Sequence, residues 1–246
     1  MKGTFIKIVL LAILAPVLNA QTLSFKEQQL KNKRVKTAYA QKWAALKSEL
    51  ALKKIDAENP DVFIRVFKHE QELELWAKNV SQEKYTFIKK IKICASSGDL
   101  GPKRREGDLQ VPEGIYDIPF FNPSSNYYLA LKVGYPNKSD RILAKGPTGG
   151  DIMIHGNCVT IGCIPLQDDP VKDVYILCTE AKNKNNQIRV EIFPCRLTVD
   201  NNKILDAYPQ EKKDFWENIK PAYSSFEKNN IPAKFSIDKT GNYVFN

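Results

Sequence analysis

Only two histidines and five cysteines occur in this 246-residue chain, and His155, Cys158 and Cys163 fall together in the nine residues HGNCVTIGC. A thiol attacks a carbonyl only as thiolate, so a catalytic cysteine needs a base or a positive field beside it. His155 and Cys163 supply that pair if the residues between them loop back. Gly156 and Gly162 make the loop sterically cheap, because glycine accepts backbone angles that other residues resist. Backbone N–H groups around Gly162 and Cys163 are natural oxyanion donors. The same residues admit blander readings. A buried free cysteine behaves as a small hydrophobe, a lone histidine beside a strand is often a hydrogen-bonded structural residue, and a short Cys158–Cys163 disulfide would abolish the nucleophile. One His with two Cys lacks a fourth ligand at any familiar zinc spacing, so no metal or other cofactor is expected.

The elements that must position these residues follow from periodicity. Residues Ser24 to Asp56 contain no Gly or Pro, and Val35, Tyr39, Trp43, Leu46 and Leu50 recur at steps of three and four, the stripe of an amphipathic helix. Asn59-Pro60 ends it. VFIRVF then reads as a strand, EQELELWAKN as a short surface helix, and YTFIKKIKIC as a half-buried strand alternating apolar and basic side chains. From Ser96 to Gly149 turn formers are dense, with short strands such as YYLALKV between them. IMI enters the His/Cys stretch as a strand. Asp168-Asp169-Pro170 is a helix start leading into VKDVYILCTEAKN, QIRVEIFP resembles a final core strand, and KKDFWENIKPAYSSFEKN is helical. The expected fold class is α+β, with a mainly β catalytic core, an N-terminal amphipathic helix and C-terminal helical segments.

Residues 1–20, MKGTFIKIVLLAILAPVLNA, have the basic start, short apolar run and small final residue of a secretory signal peptide, which places the rest in the periplasm or otherwise outside the cytoplasm. The remaining length suits one domain, the main body over residues 59–246, with an appended basic helical segment over residues 21–58. The whole chain has 37 Lys and Arg against 28 Asp and Glu. Between Ser24 and Lys54 lie nine of those cations against Glu27 and Glu49, which is all the positive excess left once Lys2 and Lys7 are removed. A solvated helix face is the simplest account of that charge. An anionic envelope surface is its functional alternative, and nucleic acid is not an expected partner of a secreted chain.

IHG followed by TIGC resembles the core motif of the L,D-transpeptidase catalytic domain family (YkuD-type). ICASSGDLGPK, GDLQVPEGIYDI, NPSSNYYLALKVGYPN and FPCRLTVDN are similar to its YafK-type branch, over about Val62 to Trp216. The resemblance implies a cysteine enzyme that acts on peptidoglycan stem peptides through a thioester. It implies His155 as base, Cys163 as nucleophile, the Gly156 carbonyl as the group orienting the imidazole, and Thr160 as the residue shaping the loop. Better-known members carry a second His before the Gly-Cys and an Arg soon after it. This chain has Ile161 and Pro165 at those places. The loss of that Arg favours hydrolysis over cross-linking, as in the release of a murein-linked envelope lipoprotein. Transpeptidation and a non-catalytic murein-binding module are the alternatives.

Lys103, Arg104 and Arg105, in a Gly-Pro loop, are candidates to hold a stem-peptide carboxylate in place of the missing Arg, or else an exposed charge run. His69 sits among surface charges and reads as solvated. Asp99 and Asp108 read as turn residues, and Tyr127 and Tyr135 as core packing before cleft lining. Cys163→Ala is expected to abolish turnover of a peptidoglycan peptide, while Cys94→Ala, Cys178→Ala and Cys195→Ala retain it. Wild-type turnover by Cys163→Ala would remove the nucleophile assignment.

Overall fold

Strand β1 (Pro60–Phe67) has every residue but Asp61 buried, so both of its faces must be covered. It lies inside a five-stranded sheet with β2 (Glu72–Asn79), β3 (Thr86–Lys92), β4 (Gly114–Asp117) and β9 (Arg189–Phe193), in the order β3-β2-β1-β9-β4. Only the β1/β9 pair is parallel. A second sheet, order β5-β6-β7-β8, is built from β5 (Phe120–Ser125), β6 (Tyr128–Lys132), β7 (Met153–His155) and β8 (Ile164–Pro165). The computed structural model describes residues 22–246. The expected leader, residues 1–20, lies outside them.

Between the sheets runs α4 (Asp168–Asn183), packed on β1, β6 and β7. Ten consecutive-turn positions from Val171 to Ala181 are buried, and a helix covered all round needs no polar face. Its first turn carries Asp168 and Asp169, which complement the helix dipole. The even residues Val62, Ile64 and Val66 of β1 enter this central core. The odd residues Phe63, Arg65 and Phe67 face the other way, against α6 (Gln210–Asn229): Phe63 meets Phe226 and Phe67 meets Tyr223 edge-on. Helices α3 (Lys138–Ile142) and α5 (Asn202–Asp206) are single short turns of chain, and a hairpin of β10 (Phe235–Ile237) and β11 (Tyr243–Phe245) completes the C-terminal layer.

EQELELWAKN is strand β2, not a surface helix. Leu73, Leu75 and Ala77 are fully buried at alternate positions in the central core, and the intervening polar residues find charged partners rather than water. Glu74 meets Arg65 and Arg196, and Glu72 meets Lys90 and Arg196. Acidic side chains that suggested a solvated surface are paired across strands and beneath α6.

The N-terminal helical segment is broken in two. α1 (Phe25–Gln29) opens with a Ser24–Glu27 capping box, and α2 (Lys33–Leu52) restarts after Asn32, whose side chain accepts the Arg34 N–H. Val35, Ala38, Tyr39, Leu46 and Leu50 of α2 belong to the same core cluster as α4 and β1. Tyr39 Oη donates to buried Glu180 of α4, which also meets Lys26. Residues 22–58 are therefore packed into the main body along their apolar stripe. Leu50 has no exposed surface, so Leu50→Ala should cost about 2–5 kcal/mol. Equilibrium denaturation would check this, and a cost under about 0.5 kcal/mol would mean that the helix is not docked.

Candidate active site

The parallel pairing of β7 with β8 aligns Ile154 with Ile164 and His155 with Pro165. Carried one residue back, the register sets Met153 beside Cys163, and the Met153 N–H does point at Cys163 Sγ at 3.4 Å. Side chains two apart on a strand share a face, so His155 and Cys163 project to the same side of the sheet, one pleat apart on neighbouring strands. The seven residues between them make the return loop that the glycines allowed.

That loop is held at four points. Asn157 takes a left-handed conformation and gives its N–H to Asp168 Oδ1 at the head of α4 (2.8 Å). Cys158 is joined to Cys94, just beyond β3, across 64 residues of sequence. Such a crosslink removes on the order of 4 kcal/mol of chain entropy from the unfolded state. Thr160 Oγ1 accepts the Gly162 N–H at 3.1 Å and donates to the Cys163 carbonyl at 2.8 Å. Gly162 has φ +135°, and a Cβ there would lie 3.1 Å from the Gln110 carbonyl, so both backbone angle and space demand glycine.

These contacts correct the cysteine reading. The Cys158–Cys163 bond is not formed, and Cys163 is a free thiol beside the Cys94–Cys158 disulfide. Full turnover is no longer expected of Cys94→Ala, which unties the loop. Cys178 and Cys195 are buried. Burial pushes the Cys195 thiol up to about 12 and Cys178 higher still, which leaves both inert.

The imidazole is buried, 1 % exposed. Its Nδ1 bonds the Gly156 carbonyl, so Nδ1 carries the proton and Nε2 is left as the base. Tyr127 lies over the ring, centroids 4.8 Å apart and planes 32° apart, and is itself 44 % exposed. Tyr127 is thus a wall of the site, whereas Tyr135 is core, at 3 % exposure. Burial pulls His155 below its ordinary value, with the Gly156 carbonyl opposing. Burial also raises the Cys163 thiol, with the Met153 N–H opposing and Asp151 reinforcing. Both shifts favour a neutral thiol beside a neutral imidazole.

The loop from Ser96 to Val111 passes over Gly162. Its anchor is buried Lys68, whose Nζ donates to the carbonyls of Gly101 (2.9 Å) and Val111 (3.0 Å) and to Glu113 Oε1 (2.9 Å). Glu113 Oε2 accepts from Trp216 Nε1 of α6 at 2.6 Å. Nothing in the local sequence pattern of Lys68, Glu113 and Trp216 marks them, since their meeting is wholly tertiary. Asp108 gathers the N–H groups of Arg104, Arg105 and Gln110 together with Lys103 Nζ. Lys103 is buried on Asp108, and Arg104 lies against Asp140 and over the Phe215 ring. Both are committed inside the fold, and Arg105 alone of the three is exposed. The Gly162 N–H, expected as an oxyanion donor, is occupied by Thr160. His69 is exposed, as read. No cluster of three His, Cys, Asp or Glu suited to a metal occurs among the described residues.

Residues 61–192 match the family model of the L,D-transpeptidase catalytic domain, YkuD. The chain is 39% identical over 186 residues to YafK of Escherichia coli strain K12, whose designation as an L,D-transpeptidase is itself provisional; the match covers 74% of this chain and 73% of that one. Among solved structures it is similar to the helical cell shape determining protein Pgp2 of Campylobacter jejuni, at 22% identity and a TM-score of 0.46 over 72% of this chain and 73% of that one. It is also similar to Bd1075 of Bdellovibrio bacteriovorus, at 22% identity and a TM-score of 0.38 over 70% and 62%.

The pH dependence of thiol reactivity tests the neutral pair. A thiol raised above 9.0 holds its proton at every lower pH, and an imidazole lowered below 6.5 cannot hold it there in exchange. Alkylation of Cys163 by iodoacetamide should therefore stay slow at pH 6–8 and climb above pH 9. A fast plateau already present near pH 5 would reveal a thiolate–imidazolium pair instead.

Proposed function

Because this chain belongs to the L,D-transpeptidase catalytic domain family, we propose that it is a secreted cysteine enzyme that cuts an amide at the L-centre of diaminopimelate in peptidoglycan. A link between peptidoglycan and an envelope protein is the substrate this reading favours. The reaction runs through a thioester. As the amide carbonyl approaches, His155 Nε2 takes the Cys163 proton and Sγ attacks the carbonyl carbon. The imidazolium then protonates the leaving amine as the C–N bond breaks. Water, deprotonated by the same imidazole, attacks the thioester, releases a free carboxylate and returns the proton to Sγ. A buried neutral pair suits this order, because charge develops only once substrate is in place.

One observation carries the choice of hydrolysis. The two residues after the nucleophile, Ile164 and Pro165, bury their side chains as β8, the neighbouring Lys103 is spent on Asp108, and Arg104 packs over the Phe215 ring with Asp140 3.6 Å away. Of the three basic residues of the loop over Gly162, only Arg105 remains exposed to meet an acceptor's carboxylate. Positioning an acceptor amine is worth up to about 7–11 kcal/mol in well-oriented systems, and without it abundant water prevails. Purified enzyme given a protein-linked or cross-linked muropeptide plus excess acceptor amine should yield mostly free carboxylate at diaminopimelate, read by mass spectrometry. A mixture dominated by new amide bonds would replace hydrolase with transpeptidase.

A further inference from the structure

The start of the basic N-terminal helix reaches the active-site turn through Arg34 and the capping Asn32. Arg34, in the first turn of α2, donates from Nη1 to the carbonyls of Ser125 (2.5 Å) and Tyr128 (2.8 Å), the two ends of the β5–β6 turn. Its guanidinium also lies over the Tyr128 ring, 5.8 Å from the centroid. Asn32 adds a bond from Nδ2 to Ser124 Oγ at 2.8 Å. The turn they grip is the one that carries Tyr127.

This turn does not take an easy shape. Tyr128 has φ +69°, a left-handed conformation that is uncommon for a bulky residue and needs its surroundings to hold it. Pairing of β5 with β6 is irregular between Asn122 and Ser125. Ser125 Oγ accepts the Tyr127 N–H at 3.0 Å, which fixes the direction in which Tyr127 leaves the turn. The turn is also pressed onto the histidine's own backbone. A Cβ on Gly156 would come within 3.0 Å of Tyr128 Cβ and 3.1 Å of the Tyr127 carbonyl.

His155 has two constraints on its ring: the Gly156 carbonyl at Nδ1, and the Tyr127 ring on its face. The carbonyl fixes one edge of this 1 % exposed ring, and Tyr127 is the aromatic neighbour on its face. Tyr127 is half exposed, so its place depends on the turn, and the turn depends on its two carbonyls being gripped.

We propose that Arg34 is a positioning residue for the reaction: from the N-terminal helix it holds the Ser125–Tyr128 turn so that the Tyr127 ring keeps the His155 imidazole aimed at Cys163. The basic segment is then part of the catalytic apparatus. This rests on His155 and Cys163 acting as base and nucleophile, but not on whether water or an amine resolves the thioester.

Acylation tests it, because that step precedes the partition between water and amine. The probe is a soluble disaccharide peptide with an amide at the L-centre of diaminopimelate, and the readout is single-turnover release of the amine over a range of probe concentrations. Misplacing a reacting group by about 1 Å costs up to 100-fold, and a loosened ring contact should cost about tenfold. Arg34→Ala is expected to lower the acylation rate about tenfold, with half-saturation moving less than about twofold. Arg34→Lys, which keeps donors for both carbonyls, should restore much of the rate. Tyr127→Ala should fall as far as Arg34→Ala, and the double alanine variant no further than the worse single one. Alanine is the strongest helix former and Arg34 is exposed, so the melting temperature should hold. If it does not, Arg34→Gln carries the same comparison. Unchanged acylation in a folded Arg34→Ala or Arg34→Gln protein, or losses that multiply in the double variant, would overturn the proposal. Cys163→Ala run alongside separates this from failure of the chemistry itself: acylation surviving in that variant would refute the nucleophile, whatever Arg34 does.

Discussion

Everything at the site depends on the short parallel pairing between β7 and β8. Only two residue pairs define it, yet side chains alternate faces along a strand, so a slip of one residue would send Cys163 to the opposite side from His155. So short a ladder cannot hold its own register. It is fixed from outside: by Asp168 on Asn157, by the disulfide from Cys94 to Cys158, by Thr160 inside the loop, and by the Gln110 carbonyl pressed against Gly162. The Cys94 N–H also reaches the Pro165 carbonyl, so the segment leaving β3 flanks β8 directly.

Burial then sets the chemistry that this geometry permits. An imidazole with 1 % exposure and a shielded thiol both resist charge. Lys103 offsets the burial of the thiol only in part, because its ammonium is also held by Asp108. On the proposed mechanism, the proton leaves sulfur only when a carbonyl arrives to accept its electrons. On the proposed reading, the same shortage of free cations disfavours a second, anionic peptide as acceptor.

Both ends of the described chain converge on this centre. α6 reaches the loop over Gly162 through Trp216, Glu113 and Lys68, three buried groups that satisfy one another and the carbonyls of Gly101 and Val111. α2 reaches the turn over His155 through Arg34. The segments flanking residues 61–192 thereby contact the turn that carries Tyr127 and the loop over Gly162.

Local pattern was enough for the long helices α2, α4 and α6 and for the core strands β1, β3 and β9, because their burial follows a simple period: the stripe from Val35 to Leu50, the capped start at Asp168, and the β-branched run of β1 could each be seen in the sequence. His155 and Cys163 were visible too, since glycine-bounded rare residues are conspicuous and the flanking motifs resemble a known family. The sequence misled where polar residues are buried in pairs. Glu72 and Glu74 made β2 look like a surface helix because their partners, Arg65, Lys90 and Arg196, come from elsewhere in the chain. The disulfide partner of Cys158, the role of Tyr127 and the docking of the basic helix were likewise decided only by folding. Each is a contact between segments distant in sequence, and the free energy that selects it resides in neither segment alone.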